Sequence, residues 1–226
     1  MEQKVIAHIY NGFETKFGVP RQSGLADAVE SKIVFEPEYA VFEAVRGLEE
    51  FSHIWILWQF SEAVRDGWSP TVRPPRLGGN KRVGVFSTRS PFRPNSIGLS
   101  SVRLLRIENE NGSPVLYVTG ADMMNGTPII DIKPYLAYTD SHPDAVGGFA
   151  DRVMGHCLDV TIPGDIINRL GTEKEKELRQ ILSQDPRPSY QNDPERVYGF
   201  EYDGFEVKFS VIDNELTVLS VEKLND

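Results

Sequence analysis

Along most of this chain apolar and polar positions alternate with the two-residue period of a strand, not the 3.6-residue period of a helix. Residues 4–10 read as a strand that stops at Asn11-Gly12, a turn dipeptide. Residues 32–35 read as a second strand, closed by Glu36-Pro37. Over 40–51 the apolar positions Val41, Ala44, Val45 and Leu48 move to helical spacing, which predicts a helix despite Gly47. The run 53–60 is apolar nearly throughout and predicts a strand buried on both faces. Further strands are predicted over 82–86, 97–107, 115–119 and 128–132, with a hairpin turn at 109–114.

The pattern changes after residue 160. Residues 163–170 and 172–183 read as helices separated by Gly171. The second carries a Thr172…Glu175 capping box and an apolar face of Leu178, Ile181 and Leu182. Asp185-Pro186-Arg187-Pro188 reads as extended, because each proline disfavours helix in its predecessor. Alternating runs at 197–202, 205–212 and 216–221 follow, joined by turns at Asp203-Gly204 and Asp213-Asn214. The expected fold is mainly β (α+β): an antiparallel sheet or barrel over 1–160, then a small domain of helix plus β-meander over 161–226. Strands this close together leave no room for βαβ crossovers. The nucleotide-binding glycine signatures are also missing, and Gly78-Gly79 fits neither form.

Composition narrows the class. With 226 residues, 40% hydrophobic and 25% charged, the chain is neither disordered nor collagen-like. Its longest apolar run, Ile54-Trp55-Ile56-Leu57-Trp58, is far short of the ~20 residues that span a bilayer. The N-terminus leads straight into a strand pattern without a signal-peptide core. One cysteine, Cys157, allows no internal disulfide, and four histidines (8, 53, 142 and 156) make a metal cage unexpected. A soluble cytoplasmic protein without a metal or a membrane partner is expected.

The net charge of −9 argues against a polyanionic partner until its distribution is read. Between Arg65 and Arg106 stand Arg65, Arg73, Arg76, Lys81, Arg82, Arg89, Arg93, Arg103 and Arg106 against one acid, Asp66. Basic charge gathered into one segment of an acidic chain suits a local phosphate-binding surface. A solvated loop whose arginines pair with acidic neighbours has the same composition.

Four segments are polar or rich in glycine and proline where a packed core would not ask for it: 18–24, 67–80, 84–98 and 122–136. In the third, Arg89 and Arg93 sit in short proline-punctuated turns. Each offers a planar donor fork to phosphate or carboxylate, or holds down neighbouring carbonyls. Phe86 and Phe92 supply apolar faces nearby. In the fourth, Asp122 and Asp131 flank Asn125-Gly126-Thr127-Pro128. They can accept from a ribose hydroxyl or an amine, or merely border a capped turn. Met123-Met124 suits core or pocket lining. His53 reads as a satisfied, partly buried histidine, and Cys157 lacks an activating motif.

These segments together resemble a known family. Pro20-Arg21-Gln22, Phe51-Ser52-His53-Ile54-Trp55-Ile56-Leu57, the stretch from Trp68-Ser69-Pro70 to Gly78-Gly79, Gly84-Val85-Phe86-Ser87-Thr88-Arg89-Ser90-Pro91-Phe92-Arg93-Pro94-Asn95, Gly126-Thr127-Pro128-Ile129-Ile130-Asp131-Ile132-Lys133-Pro134-Tyr135-Leu136 and Gln184-Asp185-Pro186-Arg187-Pro188-Ser189-Tyr190 are similar to the TsaA/TrmO-type (YaeB-like) tRNA N6-methyltransferases. The resemblance covers nearly the whole chain in the expected order. It implies a single-sheeted β-barrel, a homodimer, S-adenosyl-L-methionine (SAM) as cofactor, and methylation of N6 of threonylcarbamoyladenosine at position 37, in the tRNA anticodon loop.

By position the resemblance implies a SAM pocket from Pro20, Arg21, Gln22, Ser61, Glu62, Arg89, Asp122, Met123, Met124, Asn125 and Gly126. Ser61-Glu62 stand where some relatives carry His-Gln, and Asn125 where aspartate is common. The acceptor nitrogen of a urea-like linkage is a feeble nucleophile, so a base is needed; Asp122 and Asp131 are the candidates, with Arg89 orienting a reactant. Arg73, Arg76, Lys81, Arg82 and Arg93 suit tRNA phosphates or, for Arg93, the threonyl carboxylate, and Phe92 or Trp68 suits base stacking. The alternatives are a non-catalytic SAM- or RNA-binding barrel and a SAM methyltransferase with a different acceptor.

Overall fold

The computed structural model describes residues 3–63, 67–74, 77, 81–151, 157–187 and 193–224. Its first part runs through β1 (Ala7–Tyr10), β2 (Glu30–Phe35), the single turn α1 (Phe42–Val45) and β3 (His53–Gln59). Then come β4 (Thr71–Val72), β5 (Val83–Gly84), β6 (Ile97–Glu110), β7 (Ser113–Thr119), β8 (Pro128–Pro134) and the short α2 (Ala137–Asp140). The second part holds β9 (Asp159–Thr161), α3 (Gly164–Leu170), α4 (Thr172–Ser183), β10 (Tyr198–Tyr202), β11 (Phe205–Ile212) and β12 (Glu215–Lys223). The protein is mainly β with few helices.

Six strands bond in the order β1-β2-β7-β6-β3-β8, and β8 returns to β1, so the sheet closes into a barrel. Every neighbouring pair is antiparallel. Alternation along the strands turns Ile9, Ile33, Ile54, Ile56, Val102, Leu116, Val118 and Ile129 inward, where they are buried. A barrel of so few strands has room only for its own side chains. A ligand must therefore bind at the rim or on the outer wall.

Four sequence expectations need correction. The strand at 53–60 is not buried on both faces: Ile54, Ile56 and Trp58 face the core, while Trp55 and Leu57 are half-buried on the outer side. Large apolar residues on that outer face hid the alternation. The helix expected over 40–51 is only α1 and a 3-10 turn at Leu48–Glu50, because Gly47 between them takes φ 85°. The strand expected over 82–86 shrinks to β5, paired with β4 as a two-stranded arm, before a 3-10 turn at Val85–Ser87. Thr172 does not cap α4; it is the first helical residue, and Gly171 stands at the cap without a side-chain bond. Glu175 instead pairs with Arg179 one turn on.

The second sheet runs β10-β11-β12-β9, with β9 parallel to β12. The chain thus enters this sheet at Asp159. Leu178, Ile181 and Leu182 pack as the helical pattern requires, against Tyr198, Phe200, Val207, Phe209, Leu216 and Val218. Three members of that core come from far away in sequence. Phe13, Ala26 and Val29 lie in the long β1–β2 connection, yet they are buried in the C-terminal core. One main-chain bond and one to a side chain fix the docking: Asp203 N–H donates to Gly12 O (2.9 Å), and Ala28 N–H donates to Gln180 Oε1 (2.7 Å). That connection carries the Pro20-Arg21-Gln22 segment, so the C-terminal unit holds it in place.

Candidate active site

One rim of the barrel gathers residues from five distant stretches. It is built by the end of β3, the start of β6, the chain after β7, the loop 18–24 and the turn bearing Arg89. Gly24 N–H donates to Gly120 O at 2.8 Å, which seats the loop on the exit of β7. Arg89 Nη1 donates to Gln22 Oε1, tying the arginine turn to the same loop.

At the centre lies Asp122. Trp58 Nε1 donates to Ser100 Oγ at 3.0 Å, and Ser100 Oγ donates to Asp122 Oδ1 at 2.5 Å. Ser100 is fully buried on the inward face of β6. Burial raises the Asp122 carboxyl above the ordinary aspartate range. The Ser100 hydroxyl, the main-chain amides of Asp122 itself and Ser23, and the positive charge of Arg89 oppose that rise without cancelling it. A half-buried carboxylate with a raised pKa beside an arginine is suited to accept a proton. The Trp58 and Phe60 rings pack against each other, with centroids 4.2 Å apart, at and just after the end of β3.

Other sequence-predicted residues fall into clear groups. Gln22, Arg89 and Asp122 belong to this rim, while Pro20 is buried within the 18–24 loop. Arg21 reaches away from it: its Nη2 donates to the carbonyls of Asp185 (2.9 Å) and Arg187 (3.0 Å) in the C-terminal unit. Ser61 and Glu62 form a 3-10 turn after β3, where the Glu62 carbonyl accepts from Lys16 Nζ (3.1 Å). Met123 is buried in the barrel core and Met124 is half-buried. Asn125 is a staple: its Oδ1 accepts from Asn11 N–H (3.1 Å) and its Nδ2 donates to Glu14 (3.0 Å), with exposed Gly126 beside it.

Asp131 is not brought to Asp122. It sits opposite Leu57 in the β3–β8 register, on the outer wall, and pairs with Lys133 Nζ at 2.7 Å. Arg93 holds its own turn, donating to Thr88 O at 3.1 Å. Phe92 is exposed. Arg73 and Lys81 are exposed beside the β4–β5 arm, and Arg82 donates to Thr71 Oγ1 at 3.0 Å. Arg76 lies outside the described residues.

The basic segment is not one continuous strip. Arg106 is about 30 Å of strand beyond Ile97. Its guanidinium pairs with Glu30 and Glu108 and lies 3.7 Å from the Tyr117 ring centroid. His53 is exposed rather than partly buried, with its Nδ1 2.9 Å from Ser52 Oγ.

Sequence reasoning missed Ser100, Trp58 and Ser23. For Ser100 a signal existed: Gly98, Ser100, Val102 and Leu104 share one strand face, and a hydroxyl among inward positions needs a partner. No group of three or more His, Cys, Asp or Glu among the described residues could hold a metal ion.

A model described as the tRNA-methyltransferase O N-terminal domain matches residues 8–141, and one described as the TrmO C-terminal domain matches 159–224. This chain belongs to the tRNA-methyltransferase O family. A TrmO-family relative from Escherichia coli (strain K12), named tRNA (adenine(37)-N6)-methyltransferase, is 40% identical over 225 residues, covering 96% of each chain. A Pseudomonas aeruginosa relative with S-adenosylmethionine-dependent methyltransferase in its name is 41% identical over 204 residues, 86% of this chain and 85% of that one. A crystal structure of TrmO from Pseudomonas aeruginosa superposes with a TM-score of 0.78 at 32% identity over 98% of both chains.

Proposed function

We propose that this protein transfers a methyl group from SAM to N6 of threonylcarbamoyladenosine at position 37 of tRNA. Family membership and the names of the relatives support the reaction, and the Asp122–Ser100–Trp58 chain at the barrel rim carries the reading. The donor set there fits the cofactor. Arg89 and Gln22 suit its carboxylate, and the half-buried Phe60 ring suits its apolar and sulfonium parts. When bound, SAM supplies an electrophilic methyl carbon attached to a good leaving group.

The chain's own work is positioning and proton removal. Asp122 accepts the N6 proton as the nitrogen attacks, so that the nitrogen's lone pair becomes available for the new bond. Ser100 fixes which carboxylate lone pair is free, and Trp58 fixes Ser100. Arg89, held by Gln22, orients a carboxylate, and the tight loop arrangement keeps the reactants aligned. Arg73, Lys81 and Arg82 meet backbone phosphates of the anticodon loop. The protein works as a cytoplasmic homodimer.

The direct test is mass spectrometry of tRNA nucleosides after incubation with the protein and labelled SAM: label in threonylcarbamoyladenosine is expected, and its absence would refute the reading. Arg89→Ala is expected to lower turnover at least about 100-fold with circular dichroism unchanged. Near-normal turnover would remove Arg89 from the site.

A further inference from the structure

The described surface carries a feature that the transfer reaction does not use. Trp68 and Phe86 face each other across the base of the β4–β5 arm, with ring centroids 6.1 Å apart and planes inclined by 32°. Both are open to solvent, Trp68 at 54% and Phe86 at 72% of full exposure, while neighbouring Val85 is buried. The arm pins them in place. Thr71 pairs with Gly84 and Val72 with Val83, Val85 N–H donates to Pro70 O (3.0 Å), and Thr88 closes the 3-10 turn onto Val85 O. The backbone on either side of the ring pair is thus tied down, which keeps both rings at the surface and beside each other.

The surrounding charge says what would cover them. No aspartate or glutamate occurs between Gly67 and Ile107, and Arg73, Lys81 and Arg82 are exposed on or beside the arm. An apolar protein partner would have to desolvate those cations without return. An RNA strand offers flat faces for the rings and phosphates for the cations at once. Its bases must be unpaired, since a duplex hides their faces.

We propose that Trp68 and Phe86 form a stacking platform for unpaired nucleobases flanking the adenosine that is methylated. The proposal rests on the tRNA reading above and adds where and how the strand is gripped. Position supports it: Phe86 is three residues from Arg89, so at most about 11 Å of chain separates the platform from the rim. Stacking reads no particular base, so the platform would grip the strand without selecting its sequence.

The test uses the full-length protein, a labelled anticodon stem-loop RNA and a duplex RNA of the same length. Trp68→Ala and Phe86→Ala are each expected to weaken stem-loop binding about five- to 100-fold. Affinity for SAM and for the duplex should not change. The slope of log affinity against log salt should also stay constant, because stacking releases no counterions, whereas Lys81→Ala should lower it by about one. Phe86→Tyr keeps a flat face and should bind as the wild type does. Unchanged stem-loop affinity in both alanine variants, equal loss of duplex binding, or a shallower salt slope in them overturns the platform. Wild-type protein that neither binds nor methylates tRNA overturns the parent reading, and the platform with it.

Discussion

Asp122→Asn lowers methyl transfer by about 100- to 10,000-fold, the usual contribution of a positioned base, while the protein remains folded. The reason lies in how the carboxyl is held. Burial is the largest influence on it and raises its pKa; the Ser100 hydrogen bond, two main-chain amides and Arg89 pull the other way and lose. A raised pKa makes the carboxylate a stronger base for a weakly acidic N–H. The acid limb of kcat/KM should therefore fall above the ordinary aspartate range. Ser100→Ala removes an influence that lowers this pKa, so its acid limb should move to higher pH.

Stability gives an independent check. An acid whose folded pKa exceeds its unfolded one stabilises the fold below the unfolded pKa, and that contribution fades as pH rises through the folded pKa. At pH 7 the Asp122 charge works against folding, so Asp122→Asn should melt no lower than wild type in a thermal scan. A variant that keeps wild-type turnover would exclude Asp122 as the base; one that melts far lower would contradict the burial account.

Gly98→Ala destabilises the barrel by about 2–6 kcal/mol and disables the site in the same step. Gly98 lies directly opposite Trp58 in the β3–β6 register. A Cβ there would overlap Trp58 Cε2 and stand 2.5 Å from Cζ2, inside any permissible contact. The indole is buried and cannot swing into solvent, so it must push into its neighbours and release Ser100. Overpacking and an orphaned indole N–H each contribute about 1–3 kcal/mol. Melting should drop by roughly 4–24 °C for a chain of this size, and turnover should fall with it. Wild-type melting would show that the indole has room to move. Trp58→Phe removes the N–H bond and some ring volume but adds no clash, so comparing it with Gly98→Ala separates overpacking from loss of the hydrogen bond.

The outcome of sequence reading varied with how local the governing physics was. β6, β7, β8 and the C-terminal meander were legible because alternation with one clean inward face is a local signal. β3 misled because Trp55 and Leu57 put apolar bulk on its outer face. α1 was overestimated because Gly47 breaks a weak helix that tertiary contacts do not rescue. β9 is three residues long and owes its existence to a parallel partner, β12, more than fifty residues away.

The candidate site divides the same way. Residue types in their turns singled out Arg89 and Asp122, the family resemblance added Gln22, and the structure places all three on one rim. It also shows Asp131 turned outward toward Lys133, Arg21 committed to the carbonyls of Asp185 and Arg187, and Arg106 neutralised by Glu30 and Glu108. Those fates depend on which strand face or which distant carbonyl a side chain meets, and residue type carries no record of that.

By itself, the sequence determined the β character of the chain, its acid-free arginine-rich stretch and its family. Each follows from short-range periodicity, composition or ordered motifs. Only the tertiary structure decided that the 11–29 connection docks in the C-terminal core and that a buried serine holds Asp122. Both arise from long-range burial: apolar side chains and a desolvated carboxylate find partners wherever closure of the barrel happens to bring them.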